Sequence, residues 1–306
     1  MSDHTATQHN SNRGVWQILL AAILWGTVGI TTQTLYNLSS TNPLSIGFFR
    51  VGIGALILLA VCWRLLGRRI VKIKPRDALV MLLMGLMLAA YQACYFTAIT
   101  YSGVAVASLV TICTTPVIVA LVSITLARER ITRPVGVALI SALCGTILLV
   151  FARSGAGILH ASIIGILFAL AAACGYASQI LGGRLLTHHY HPLHINAVTF
   201  ATGAVTLLIL ALPTRFVFSY PLQGWLLLLY LGSVPTAISY ALFLVGMRTT
   251  SATITSIVTL VEPLTASLLA WLLFGEQLGP LGLLGGLLLV GAILLLIRKP
   301  RPLLAA

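Results

Sequence analysis

Apolar residues in this chain gather into blocks of about twenty, separated by short polar or basic connections. A helix of that length, rising 1.5 Å per residue, crosses the roughly 30 Å of hydrocarbon in a bilayer. The pattern predicts ten spans in two groups of five. The first group runs Val15 to Leu35, Leu44 to Trp63, Ala78 to Ala98, Gly103 to Leu126 and Pro134 to Phe151. The second runs Ala161 to Leu181, Leu193 to Leu212, Gly224 to Val245, Ala252 to Phe274 and Pro280 to Ile297. The expectation is an all-α membrane protein with no appended soluble domain, residues 1–14 and 298–306 being tails. The stretch ahead of the first span has no apolar core with a small-residue cleavage site, so that helix is expected to be retained.

Composition agrees, since 59% of the 306 residues are hydrophobic and 8% charged, against about a quarter charged in soluble domains. A net charge of +13 would admit nucleic acid as a partner, but the basic residues segregate by connection. With the N-terminus inside, fifteen fall on cytoplasmic segments: Arg13; Arg64, Arg68, Arg69, Lys72, Lys74 and Arg76; Arg128, Arg130 and Arg133; Arg184; Arg248; and Arg298, Lys299 and Arg301. Only Arg153 and Arg215 fall outside, and Arg50 lies within a span. Both termini are therefore expected in the cytoplasm of an inner-membrane protein, with lipid around it and no nucleic acid bound.

Little in the chain points to metal or covalent chemistry. Cys62, Cys94, Cys113, Cys144 and Cys174 all fall within predicted spans, form no CxxC pair and read as small core residues. His188, His189, His191 and His194 cluster on a cytoplasmic connection, but Pro192 interrupts them and no cysteine or carboxylate accompanies them. A solvated loop is expected there, and no metal or cofactor. No GxxxxGK[ST] loop is present, so nucleotide hydrolysis is not expected as an energy source.

The chain also repeats itself. Trp25-Gly26, Pro43 and Gly54 align with Cys174-Gly175, Pro192 and Gly203 at one spacing, and Pro116 and Glu129 with Pro263 and Glu276 at another. Pro134, Gly136 and Gly145 follow with Pro280, Gly282 and Gly291. Each unit, residues 15–151 and 161–297, holds five spans. An odd number of crossings makes the second copy enter from the opposite side, so two inverted halves are expected around a site at mid-depth.

Several of these residues carry a resemblance. Trp25-Gly26 in the first span, Phe49-Arg50 in the second, and a proline some way before a helix-ending glutamate in the fourth and ninth resemble the EamA-type ten-helix members of the drug/metabolite transporter superfamily. Glu262-Pro263-Leu264-Thr265-Ala266 continuing to Leu273-Phe274-Gly275-Glu276 is similar to the family's proline and glycine-glutamate signature. Ala127-Arg128-Glu129 departs from the Leu-Gly-Glu usual in the fourth span. The resemblance covers residues 13–299 and implies secondary transport, often export, of amino acids, other metabolites or toxic amphiphiles through a central cavity.

Arg50 and Glu262 are the ionisable residues inside the predicted spans, where an unpaired charge costs about 2.5–3.5 kcal/mol on insertion scales. Glu262, directly before Pro263, has two readings: a cavity carboxylate that binds an ammonium group or exchanges a proton, or a structural group bonded between helices. Pro263 is expected to free a carbonyl one turn back and open a polar recess. Arg50 either pairs with Glu262 or a substrate carboxylate, or anchors helix ends through backbone carbonyls.

Polar and aromatic residues at helical spacing supply the other lining candidates. They are Thr255 and Thr259 with Glu262; Tyr91 and Tyr95 with Gln92 beside them; Thr236, Tyr240 and Phe243; and Ser108, Thr111 and Thr115. Tyr176 and Gln179, Asn196 and Trp25 complete the set. Individual hydroxyls are more often served by their own helix backbone, and packing between helices is an alternative for part of the aromatic set. Pro116, Pro235 and Pro263 are candidate hinges or static kinks. Gly282 and Gly286 form a GxxxG pair suited to a contact within the chain or a dimer seam, leaving monomer and homodimer both open.

The reading from sequence is an alternating-access secondary transporter and not an enzyme, moving a small-molecule substrate such as an amino acid or amine, in the export direction, with protons as a candidate coupling ion. Multidrug efflux of amphiphilic cations is the alternative within transport. A membrane enzyme acting on lipid is the alternative outside it, against which stands the absence of an Asp/Glu/His cluster.

Overall fold

The computed structural model describes residues 2–67, 73–126, 131–154, 162–214, 216–274 and 279–298. Glu129 and Glu276, the two glutamates of the repeat comparison, lie outside the described residues. Among those described every regular element is helical, and ten helical stretches are long and apolar enough to cross a membrane.

Helix α1 (Ser2–Leu38) extends well ahead of the predicted first span. Helix α2 (Pro43–Leu66) opens as its sequence dictates: Pro43 needs no amide partner at the first position, and the Asn42 side chain accepts a 2.8 Å bond from the Ser45 amide. Helix α3 (Pro75–Thr125) holds the third and fourth spans, with one non-helical residue, Gly103, at φ 77°. A straight helix would separate Tyr95 and Ser108 by about 20 Å. Their hydroxyls lie 2.6 Å apart instead, so the chain folds back at Gly103, a conformation costly for any residue with a Cβ. The connection expected over residues 99–102 is thus helical, and the reversal is a single residue.

Helices α4 (Arg133–Ser154), α5 (Ile163–Leu186) and α6 (Pro192–Ala211) form the fifth to seventh spans. The eighth and ninth, in which Pro235 and Pro263 are candidate kinks, are each interrupted. The eighth consists of α7 (Leu222–Gly232), a π-helical turn at Ser233–Ile238 containing Pro235, and α8 (Ser239–Met247). The ninth breaks at Thr259 and Leu260 between α9 (Ala252–Val258) and α10 (Val261–Phe274). By contrast α3 stays helical through Pro116. The tenth span is α11 (Pro280–Arg298).

Packing pairs α1 with α8 and α10, α3 with α5 and α6, α2 with α6, and α4 with α11. Exchanging the first five spans with the last five maps the first-with-eighth and first-with-ninth contacts onto sixth-with-third and sixth-with-fourth. The second-with-seventh and fifth-with-tenth contacts map onto themselves. The Ser141 hydroxyl donates to the Leu288 carbonyl at 3.0 Å, joining residues 147 apart, the same separation as Pro116 and Pro263. The interior is built from small residues, among them Ala21, Ala142, Ala169 and Ala173, which let helices approach closely. Outward face large apolar side chains such as Leu56, Ile163, Leu272 and Leu287, a surface suited to lipid. Of the expected glycine pair, Gly286 faces Leu264 of the same chain, while it is Gly285 that lets α11 approach α4 closely, at Gly145.

Candidate functional site

Glu262 stands halfway along the 22-residue ninth span, in the first turn after its interruption. Backbone bonds tighten there: the Leu260 amide donates to the Ile257 carbonyl at 3.1 Å and the Glu262 amide to the Thr259 carbonyl at 3.0 Å, three residues back instead of four. Pro263 brings no amide. The carbonyl it was expected to free, that of Thr259, is therefore taken by Glu262, and the cost of the proline is met by a local tightening. The carboxylate emerges at this break, deep among helices yet partly accessible, which sets it on the wall of an internal recess.

Arg50 projects from α2 toward the other interrupted span. Its Nε donates to Thr236 Oγ1 at 3.2 Å, and its guanidinium lies within hydrogen-bonding reach of the Tyr240 hydroxyl. Thr236 belongs to the π turn and donates in turn to the Leu231 carbonyl, five residues back, at 2.7 Å. Arg50 thus bonds to side chains of the eighth span, and it interacts through space with Glu262. Each intramembrane charge adjoins an irregular stretch of backbone in the second half of the chain.

Around the pair stands a wall of tyrosines. Tyr91 stacks on Tyr176 with ring centres 5.5 Å apart and lies 6.1 Å from Tyr95. The Tyr176 hydroxyl reaches Thr259. Tyr91, Tyr95, Tyr176 and Tyr240 all lie within electrostatic range of Glu262. Trp25 closes the side formed by α1, its ring 4.8 Å from Tyr240 and 5.1 Å from Phe243. Phe200, also 4.8 Å from Tyr240, was not singled out in the sequence, though it follows Asn196 by one helical turn and so shares its face.

Other candidates are spent on backbone carbonyls, between helices or within their own. Gln179 Nε2 donates to the Met84 carbonyl at 2.6 Å, and Thr111 to the Ala169 carbonyl at 3.1 Å. Thr115 donates to the Thr111 carbonyl at 2.7 Å. Gln92 and Asn196 are buried, and neither amide nitrogen has a hydrogen-bond partner among the described residues.

Both ends of the recess are crossed by bonds between distant segments. On the side predicted to be cytoplasmic, Arg184 donates to the Met247 carbonyl and contacts His188 Nε2, each at 2.6 Å. Arg248 donates to the carbonyls of Thr187 and Tyr190 at 3.1 Å. The Tyr190 hydroxyl donates to Asp77 at 2.7 Å and accepts from the Lys74 amide at 3.1 Å. Partial burial, and then the charges of Arg184, His189 and Arg248, hold the His188 imidazole below its ordinary pKa. The histidine connection is therefore more than the expected solvated loop: His188 joins this clamp, and His194 is buried. At the opposite side the hydroxyls of Thr41 and Tyr220 meet at 2.6 Å, the Val217 amide donates to Ser45, and Phe48, Phe49, Phe216 and Trp225 form an aromatic cluster.

Comparison with known proteins agrees with this architecture. Residues 12–151 and 163–298 each match the EamA-like transporter family. An uncharacterized transporter of Bacillus subtilis, YwfM, is 31% identical over 93% of this chain and 93% of its own length. The pseudopaline exporter CntI of Pseudomonas aeruginosa is 28% identical over 93% of this chain and 96% of its own. A solved crystal structure superposes with a TM-score of 0.79 at 20% identity, covering 94% of this chain and 98% of that one, and so shares the fold. A multi-pass helical protein matched by the same family model in both halves, with transporters for relatives along its whole length, belongs to the EamA-like transporter family.

Proposed function

We propose that this membrane transporter exports a small zwitterionic solute, an amino acid or a similar amine-bearing acid, across the inner membrane with both termini in the cytoplasm. The observation that carries the reading is the joint position of Glu262 and Arg50 at the tyrosine-lined recess. A carboxylate, and a guanidinium bonded to Thr236, offer one pole to an ammonium group and another to a carboxylate. The tyrosine and tryptophan faces between them suit the substrate's cationic or apolar parts.

Alternating access supplies the movement. The exchange of helix contacts between the halves supports an inverted arrangement, and the bonds across each end are the closures that would open in turn. Glu262 exchanges a proton as the recess changes sides. Export is supported by the relative named a pseudopaline exporter and by the family resemblance. Efflux of amphiphilic cations is less well served, because Arg50 would repel a cation that carries no acid group. The test is counterflow in proteoliposomes with L-amino acids set against lipophilic cations. Preference for the cations would overturn the zwitterion reading.

A further inference from the structure

Gln92 is enclosed to 5% exposure, and its amide nitrogen has no hydrogen-bond partner among the described residues. A buried donor without an acceptor forfeits its hydration with no return, so such a group calls for a partner at some other stage of the protein's work. The place of the amide says what that partner is. Its oxygen lies against Gly47, where a Cβ would stand 2.6 Å from Oε1 and 3.5 Å from Cδ. Gly47 lies one helical turn before Arg50 on the same face of α2. Tyr91, the neighbour of Gln92 in sequence, feels the charges of both Glu262 and Arg50.

A second such donor lies on α1. Trp25 Nε1, a donor with no acceptor function, also lacks a partner among the described residues, and the Trp25 ring packs on Tyr240, within reach of Arg50. Arg50 and the Gln92 and Trp25 N–H groups, the last two without a partner among the described residues, are therefore donors, and against them stand the Thr236 and Tyr240 hydroxyls and, through space, the Glu262 carboxylate, so that donors are left over. That imbalance fits a ligand group made only of acceptors.

We propose that Gln92 reads the substrate's carboxylate beside Arg50, and that Gly47 is a positioning residue whose missing side chain leaves room for the Gln92 amide. The inference rests on the zwitterion reading given above. Both nitrogens are sealed from solvent in this conformation, so the carboxylate reaches them as the helices shift around it.

The test uses the full-length protein in proteoliposomes, with L-phenylalanine and L-leucine each paired against its decarboxylated amine, phenethylamine or isoamylamine. Wild type is expected to prefer the acids. Gln92→Met keeps the length of the side chain and removes the amide. It should raise KM for the acids about tenfold to a hundredfold, the range for a hydrogen bond to a charged group, and leave KM for the amines unchanged. Gly47→Ala should shift the same ratio in the same direction and add nothing in the Gln92→Met background. Gln92→Glu, close in shape but acidic, should turn the preference toward the amines, and it guards against misreading a folding defect. Equal loss for acid and amine in all three variants, or an unchanged ratio, overturns the role of Gln92 while leaving the zwitterion reading intact. A wild type that does not prefer the acids overturns both.

Discussion

Gly145 and Gly291 are counterparts in the sequence repeat, and replacing each by alanine should have opposite effects. A Cβ on Gly145 would lie 2.6 Å from the Gly285 carbonyl oxygen, 3.0 Å from Leu289 Cγ and 3.1 Å from the Leu289 amide nitrogen. Two of those atoms are backbone and cannot swing aside. Restoring the first contact to an ordinary 3.4 Å requires α4 and α11 to separate by most of an ångström. Doing so loosens Ala138, Ala142, Leu149, Leu289 and Ala292, which share one buried cluster. Overpacking of this kind costs about 1–3 kcal/mol. Gly291 has nothing among the described residues within 4 Å of its ideal Cβ, so alanine there meets none of them and gains up to about 1 kcal/mol of helix propensity. Thermal unfolding of both variants in one detergent, followed by tryptophan fluorescence, should give a lower Tm than wild type for Gly145→Ala and an equal or higher Tm for Gly291→Ala. A Gly145→Ala protein that melts with wild type, or equal shifts in the two variants, would refute the packing argument.

Tyr190→Phe deletes the hydroxyl that joins Asp77 to the Lys74 amide; discounted for solvent, that bond is worth about 1 kcal/mol, so the cytoplasm-open population should grow about fivefold. Spin-label distances between Arg76 and His189 would report it, and an unchanged distribution would remove Tyr190 from the clamp. In the closed state the His188 pKa lies below its ordinary 6.5, so the contribution of His188 is complete above that pH and fades as the pH falls, when an imidazolium would face Arg184 in place of an acceptor. The same distances should therefore broaden between pH 7.5 and 5.5 in wild type and stay fixed in His188→Gln. Thr236→Val removes the acceptor of Arg50 Nε at constant shape and should raise KM for an amino acid about threefold to tenfold, with little change for the matching amine.

The ten spans and the two charges within them were legible because both follow from the cost of placing polar groups in hydrocarbon, which single residues report. The interruptions were legible only as candidate kinks at Pro116, Pro235 and Pro263, and which of these positions stays helical was not. Pro116 and Pro263 look equivalent in sequence, yet α3 runs through the first while the ninth span breaks just before the second. Whether a proline ends a helix depends on which neighbours take up its unpaired groups, and that is a matter of tertiary contact. The π turn at Ser233–Ile238 had no signal beyond Pro235, although it sets Thr236 against Arg50. Among polar candidates, periodicity gave the face but not the partner. Gln179 spends its amide on Met84, whereas Gln92, a residue of the same type, keeps a donor without a partner among the described residues. The reversal at Gly103 was hidden because one glycine replaced the longer connection that polarity suggested.

The central claim is that Glu262 carries the exchangeable charge of a zwitterion site. Its most direct test is counterflow of L-amino acids in proteoliposomes, with and without a pH gradient, for wild type and Glu262→Gln. Saturable exchange that responds to the gradient in wild type, with at least about a tenfold loss and no remaining pH response in the variant, is the expected result. A Glu262→Gln protein that transports at the wild-type rate with the same pH dependence would contradict it.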